Sequence, residues 1–124
     1  MDVRFRDLDP LGHVNNAVFL SYMELARIRY FQRISPDWLE EGHFVVARME
    51  VDYLRPILLG DEVFVRVRTV GLGRSSLRME HLVTANGESA AKGLGVLVWL
   101  EGGRPAPLPE AIRERIRALE GRPL

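Results

Sequence analysis

The chain has 124 residues, 47% of them hydrophobic and none of them cysteine, so one core can close without the staples that folds below about 40 residues usually need, and thiolate nucleophiles, disulfides and Cys-ligated metals are excluded. Lys+Arg and Asp+Glu both number 17, which lacks the basic excess of a nucleic-acid binder. No apolar run approaches the ~18 residues of a membrane span and no signal-peptide core opens the chain, so a soluble cytoplasmic protein with no nucleic-acid or membrane partner is expected.

In chain order, residues 2–6 alternate polar and apolar and predict a short strand. Asp7-Leu-Asp-Pro-Leu-Gly-His13 contains Pro10 and Gly12 and must be a loop. Asn15-Asn16 then precedes Val18, Phe19, Tyr22, Met23, Leu25, Ala26, Tyr30 and Phe31, the spacing of a helix that begins on a favoured capping residue. Its apolar face is wide, leaving Ser21, Glu24, Arg27 and Gln32 for the polar remainder, so the helix needs cover on more than one side. After Ser35-Pro36-Asp37 and a short amphipathic piece, the period changes to two. Ala47, Met49, Val51 and Tyr53 form one alternating set, Val63, Val65 and Val67 a second, and Leu77, Met79, His81 and Val83 a third. Ala90 to Leu100 is apolar on both faces and reads as a strand covered on both sides. Turns are expected at Pro56–Gly60, Gly71–Gly73 and Asn86-Gly87, short connections that imply antiparallel neighbours throughout. Gly102-Gly103 and three prolines precede a terminal amphipathic helix carrying Ile112, Ile116 and Leu119. The order predicts an α+β layer with no repeat, linker or second domain across residues 1–124, and an open sheet face or edge that a second copy would cover.

Few residues can carry chemistry. His13, His43 and His81 are scattered without metal-ligand spacing, so no metal site is expected. No GxSxG elbow surrounds any serine, and Gly71-Leu-Gly73 lacks the rest of a nucleotide-binding pattern. The loop before the long helix remains. Asp7 and Asp9 stand just ahead of a helix start whose free N–H groups and dipole favour negative charge. Such a place suits a carboxylate base or nucleophile beside an oxyanion site. It equally suits ordinary turn and capping chemistry, and local physics leaves both open.

Asp7-Leu-Asp9-Pro-Leu-Gly12-His13-Val14-Asn15-Asn16, followed by Phe19, Tyr22, Glu24 and Ala26-Arg27, resembles the signature of the 4-hydroxybenzoyl-CoA thioesterase family of hotdog-fold proteins. The resemblance continues through Tyr53-Leu-Arg-Pro56, Gly60-Asp-Glu-Val63 and Gly73-Arg-Ser-Ser76, about residues 3–100. It implies a hotdog fold, an antiparallel five-stranded sheet wrapped around one long helix, with the short C-terminal helix added. It implies a homodimer, or a tetramer built as a dimer of dimers.

Carried onto this sequence, the resemblance makes Asp9 the catalytic carboxylate, nucleophile or general base toward a thioester carbonyl. Asn16 becomes the residue whose backbone N–H polarises that carbonyl. His13 matches a histidine of acyl-carrier-protein and long-chain acyl-CoA thioesterases, although Leu11 stands where their asparagine would be. Asn15, Glu24, Arg74, Ser75 and Ser76 are expected at the substrate, Asn15 also as a cap and Glu24 as the alternative base. The implied reaction is hydrolysis of an acyl-CoA thioester to free acid and CoA, with CoA entering as part of the substrate and no further cofactor. An acyl-carrier-protein thioesterase and a non-catalytic acyl-CoA-binding module are the alternatives. Gly42-His43-Phe44 is a fainter likeness to dehydratases of the same fold.

Overall fold

The structure is a computed structural model describing residues 1–34 and 42–124. The amphipathic piece expected after Ser35-Pro36-Asp37 lies outside the described residues. A 3₁₀ turn at Phe5–Asp7 leads through the loop to helix α1, Asn16–Ile34. Strands β1 (His43–Tyr53), β2 (Val63–Leu72), β3 (Ser76–Ala85), β4 (Glu88–Glu101) and β5 (Arg104–Pro105) follow, then helix α2 (Glu110–Glu120). All pairings are antiparallel, in the order β1-β4-β3-β2, with β5 on the end of β4.

The α+β class, the long helix, the five strands and the C-terminal helix agree with the sequence. Three details do not. Residues 2–6 are not a strand: the Asp7 carboxylate accepts the Arg4 backbone N–H at 2.9 Å and draws the chain into a turn. The fifth strand is Arg104–Pro105 instead. The second correction is topological. β1 and β2 are consecutive but lie on opposite edges, because β1 pairs with β4 over ten positions. The gap across three strand spacings is about 14 Å, and residues 54–62 can span about 30 Å, so this connection need not be a hairpin. It passes beneath the start of α1, where Val14 N–H donates to Ile57 O at 2.8 Å and His13 bridges Leu58. Hairpin geometry does hold at Asn86-Gly87, with φ of 52° and 81°, the left-handed pair that a two-residue turn requires.

The third correction concerns Arg27, which faces the core rather than the polar remainder. Phe19, Tyr22, Met23, Arg27, Tyr30, Phe31 and Ile34 form the face of α1 laid on the sheet. Phe19, Tyr22 and Met23 pack with Val63, Val83 and Ala91; Tyr30 and Phe31 pack with Leu77, Met79, Trp99 and Ile116. Between these two apolar clusters lie Arg27 and His81, 6% and 2% exposed. Gly93 makes the close approach feasible, since a Cβ there would stand 3.0 Å from Met23 Sδ. Arg27 Nη1 donates to His81 Nε2 at 3.1 Å, and His81 Nδ1 faces Gly93 O at 3.3 Å. His81 is therefore a neutral core residue, its pKa pushed down to about 4 by burial and by the Arg27 charge.

This pair makes the fold acid-sensitive. The unfolded His81 takes a proton near pH 6.5 while the folded one resists until about pH 4, so between those values the unfolded state binds more protons and stability falls as pH falls. The loss is about 3 kcal/mol across the window. Urea unfolding of wild type and His81→Gln at pH 7 and pH 4.5 checks this; the variant should lose distinctly less on acidification.

Candidate active site

The loop ahead of α1 holds its two carboxylates in different surroundings. Asp7 is 2% exposed. Its oxygens accept Arg4 Nη2 at 2.9 Å, the Arg4 backbone N–H, and the Tyr22 hydroxyl at 3.1 Å. Burial alone would raise its pKa, but these donors outweigh burial and hold it below the ordinary carboxylate value. Tyr22 responds oppositely: burial, then the Asp7 charge, push it up to about 12. Asp7 also ties the loop to the helix through its carbonyl, which accepts the Asn15 N–H at 2.8 Å.

Asp9 is half-buried, and one carboxylate oxygen organises its own loop. Oδ1 accepts the N–H groups of Leu11 at 2.9 Å and His13 at 3.1 Å. The backbone closes the same turn, with Asp9 N–H on His13 O and Gly12 N–H on Asp9 O. Gly12 has a φ of 82°, a value this tight loop can use only at glycine without strain. Asp9 Oδ2 has no partner among the described residues.

Asn15 caps α1: its Oδ1 accepts the Ala17 N–H at 2.8 Å. Asn16 is the first helical residue, and among the described residues its N–H has no hydrogen-bond partner. A helix leaves such groups free in its first turn, and they favour negative charge. The Asn16 carbonyl accepts the Tyr53 hydroxyl at 3.1 Å, and the Tyr53 ring meets the Phe19 ring edge-on at 5.3 Å. A cavity of about 290 Å³ opens here, lined among others by Asp9, His13, Asn16, Phe19, Tyr53 and Arg55. Arg55 is ion-paired with Glu88.

Asp9, His13 and Asn16 thus share one cavity, with Asn15 at its edge as a cap. Glu24 is exposed, two turns along α1, and does not line the cavity. Nor does it pair with Arg27; it only partly offsets the fall that burial imposes on the Arg27 pKa. Arg74, Ser75 and Ser76 lie at the other end of the sheet. β3 runs ten residues from Ser76 to Ala85, the end nearer the cavity, a separation of about 30 Å within one protomer. His43 and Phe44 begin β1, where Phe44 stacks on Phe31 at 4.7 Å and packs against Trp99, a core role. Tyr53 and Arg55 also line the cavity, though the sequence marks them only as part of the Tyr-x-Arg-Pro stretch that ends β1.

A larger hollow of about 600 Å³ lies on the sheet face away from α1, among Glu50, Asp52, Arg66, Arg68, Glu80 and Lys92. Its charges are of both signs, and Arg68 pairs with Glu80 at 2.8 Å. Among the described residues no three His, Asp or Glu side chains gather where they could hold a metal ion. No described helix is long and apolar enough to cross a membrane.

The chain is similar to several known proteins. A crystal structure from Thermus thermophilus, described as a thioesterase complexed with coenzyme A and Zn, is 98% identical, with a TM-score of 0.95 over 100% of this chain and 93% of that one. The uncharacterized protein YsmA of Bacillus subtilis is 34% identical over 100 residues, 79% of this chain and 68% of that protein. The chloroplastic acyl-acyl carrier protein thioesterase ATL3 of Arabidopsis thaliana is 27% identical over 122 residues, 93% of this chain but only 64% of that protein's length. Residues 3–116 match the family described as the Thioesterase-like superfamily, and the chain belongs to it, a thioester hydrolase built on the hotdog fold.

Proposed function

We propose that the protein hydrolyses acyl-CoA thioesters at the Asp9 cavity. The observation that carries this is that one cavity is lined by both Asp9 and Asn16, and that among the described residues Asp9 Oδ2 and the helix-start N–H of Asn16 have no hydrogen-bond partner. Asp9 Oδ2 either attacks the thioester carbon, giving an anhydride that water opens, or takes a proton from the attacking water. Negative charge then develops on the carbonyl oxygen, where the Asn16 N–H and the helix dipole stabilise it. The C–S bond breaks and CoA leaves as a thiolate; it becomes the thiol with the proton that the water gives up, passed on by Asp9 in the general-base route or released when water opens the anhydride in the nucleophilic one. His13, lining the same cavity, is the second group that could relay that proton. The Asp9 backbone turn supplies the rigidity: with Oδ1 held by two N–H groups, Oδ2 stays aimed rather than rotating away.

The support for CoA as the handle is the similar Thermus thioesterase, which holds coenzyme A; the Arabidopsis relative favours a carrier-protein thioester as the second reading. Thiol release from matched acyl-CoA and acyl-carrier-protein substrates tests both. Faster release from the CoA substrate is expected. CoA binding without any release would leave only a binding module.

The working unit in this reading is a homodimer in the cytoplasm. β1 is an edge strand of 11 residues that leaves Val45, Val46 and Tyr53 at 36–45% exposure, and such an edge favours pairing with another strand. Two copies joined antiparallel along β1 reverse their ends. Tyr53, in the cavity with Asp9, then lies toward the start of the partner's β1, and within each copy the register Val45–Val98–Ser76 carries the start of β1 across to the start of β3. In this way the 73–76 loop of one copy meets the Asp9 cavity of the other, and Arg74, Ser75 and Ser76 become substrate contacts supplied in trans. The open sheet face is where two dimers would stack as a tetramer.

A further inference from the structure

The loop carrying Arg74 is held by its main chain from several directions. Gly73 N–H donates to Ser76 O at 2.8 Å, Trp99 N–H of β4 to Ser75 O at 2.7 Å, and Leu108 N–H to Arg74 O at 2.9 Å. Arg113 adds a charged clamp: its Nη2 donates to Gly73 O at 2.6 Å and to Arg74 O at 2.9 Å. Gly73 lies close over Ser76: a Cβ there would stand 2.6 Å from Ser76 Oγ. Arg113 is itself fixed, because α2 buries Ile112 and Ile116 against the core. The Arg74 side chain is exposed and makes no hydrogen bond or ion pair among the described residues. The loop is thus rigid in its backbone and free in its guanidinium, a combination suited to meeting a phosphate.

We propose that Arg113 is a positioning residue for recognition of the CoA nucleotide, fixing the main chain from which Arg74 reaches the phosphates. This rests on the reading of the 73–76 loop as a substrate contact. Without the clamp, the ordering of the loop must be met when substrate binds, and affinity falls while the chemistry at Asp9 is untouched.

The test compares an acyl-CoA with the same acyl group on N-acetylcysteamine, which has no nucleotide. In Arg113→Ala, KM for the acyl-CoA should rise about tenfold at unchanged kcat, with the N-acetylcysteamine thioester hydrolysed as by wild type. Arg113→Lys, whose single ammonium can still reach one carbonyl, should fall between. An unchanged KM for the acyl-CoA, or equal losses on both substrates, overturns the proposal. Arg74→Ala measured alongside reports on the underlying reading separately: if it leaves KM for the acyl-CoA unchanged, Arg74 is not the phosphate contact, whatever Arg113→Ala does.

Discussion

Asp9→Asn should lose about a thousandfold in kcat on any acyl-CoA the wild type accepts, with folding stability within about 0.5 kcal/mol of wild type. The substitution is narrow by design. Asparagine keeps an Oδ1 acceptor for the Leu11 and His13 N–H groups that Asp9 holds, so the loop and the helix start retain their geometry. What disappears is the carboxylate charge that the proposed reaction uses as base or nucleophile. KM should move by only a few-fold, because in this account Asp9 acts on the transition state and the nucleotide is held elsewhere. Steady-state thiol release together with a chemical denaturation curve checks both halves. Solvent ¹⁸O appearing in the wild-type Asp9 carboxylate would then separate nucleophilic attack from general-base catalysis.

Asp7→Ala should do the reverse, lowering stability by about 3 kcal/mol. The neighbouring carboxylate is buried and has four donors on it, the Arg4 backbone N–H, Arg4 Nε and Nη2, and the Tyr22 hydroxyl. Alanine leaves the Tyr22 hydroxyl in the core without an acceptor and releases the Arg4 backbone that shapes the turn. Asp7→Asn, which keeps one acceptor, should cost less. The wild-type contribution also has a pH signature: with the folded pKa below the ordinary 3.8, it is present above that value and is lost as pH falls through the folded pKa. Urea titrations of the three proteins at pH 7 measure the differences. An Asp7→Ala protein as stable as wild type would contradict the structural role assigned here.

Local physics made much of this fold legible. Asn15 as cap, the helical spacing from Val18 to Phe31, the Asn86-Gly87 turn and the alternation through β3 are encoded within a few residues of where they act. What escaped was non-local. Nothing near β1 states that its partner is β4 rather than β2, since that choice is made by chain reach and by the apolar length of β4. Arg27 carries an exposed residue's chemistry, and only the facing His81, 54 positions away, explains its burial. Residues 2–6 have a strand's alternation, overridden by one carboxylate three residues from Arg4. At the candidate site, the family resemblance named Asp9 and Asn16, and it included Tyr53 without a role, because the Tyr53 hydroxyl reaches Asn16 only after the sheet has formed. Arg74, Ser75 and Ser76 were readable as a motif, but one protomer holds them at the far end of β3.

That separation lets a single measurement show whether one site is made by two copies. Asp9→Asn and Arg74→Ala proteins, each impaired alone, are unfolded together, refolded at equal concentration and assayed for thiol release at substrate below KM. Half of random dimers are mixed, and each mixed dimer carries one site with Asp9 from one copy and Arg74 from the other. The mixture should therefore recover to about a quarter of wild-type activity, while either variant refolded alone stays at its own low level. A mixture no more active than the average of its two components would contradict the shared site, and would leave Asp9 working with residues of its own protomer alone.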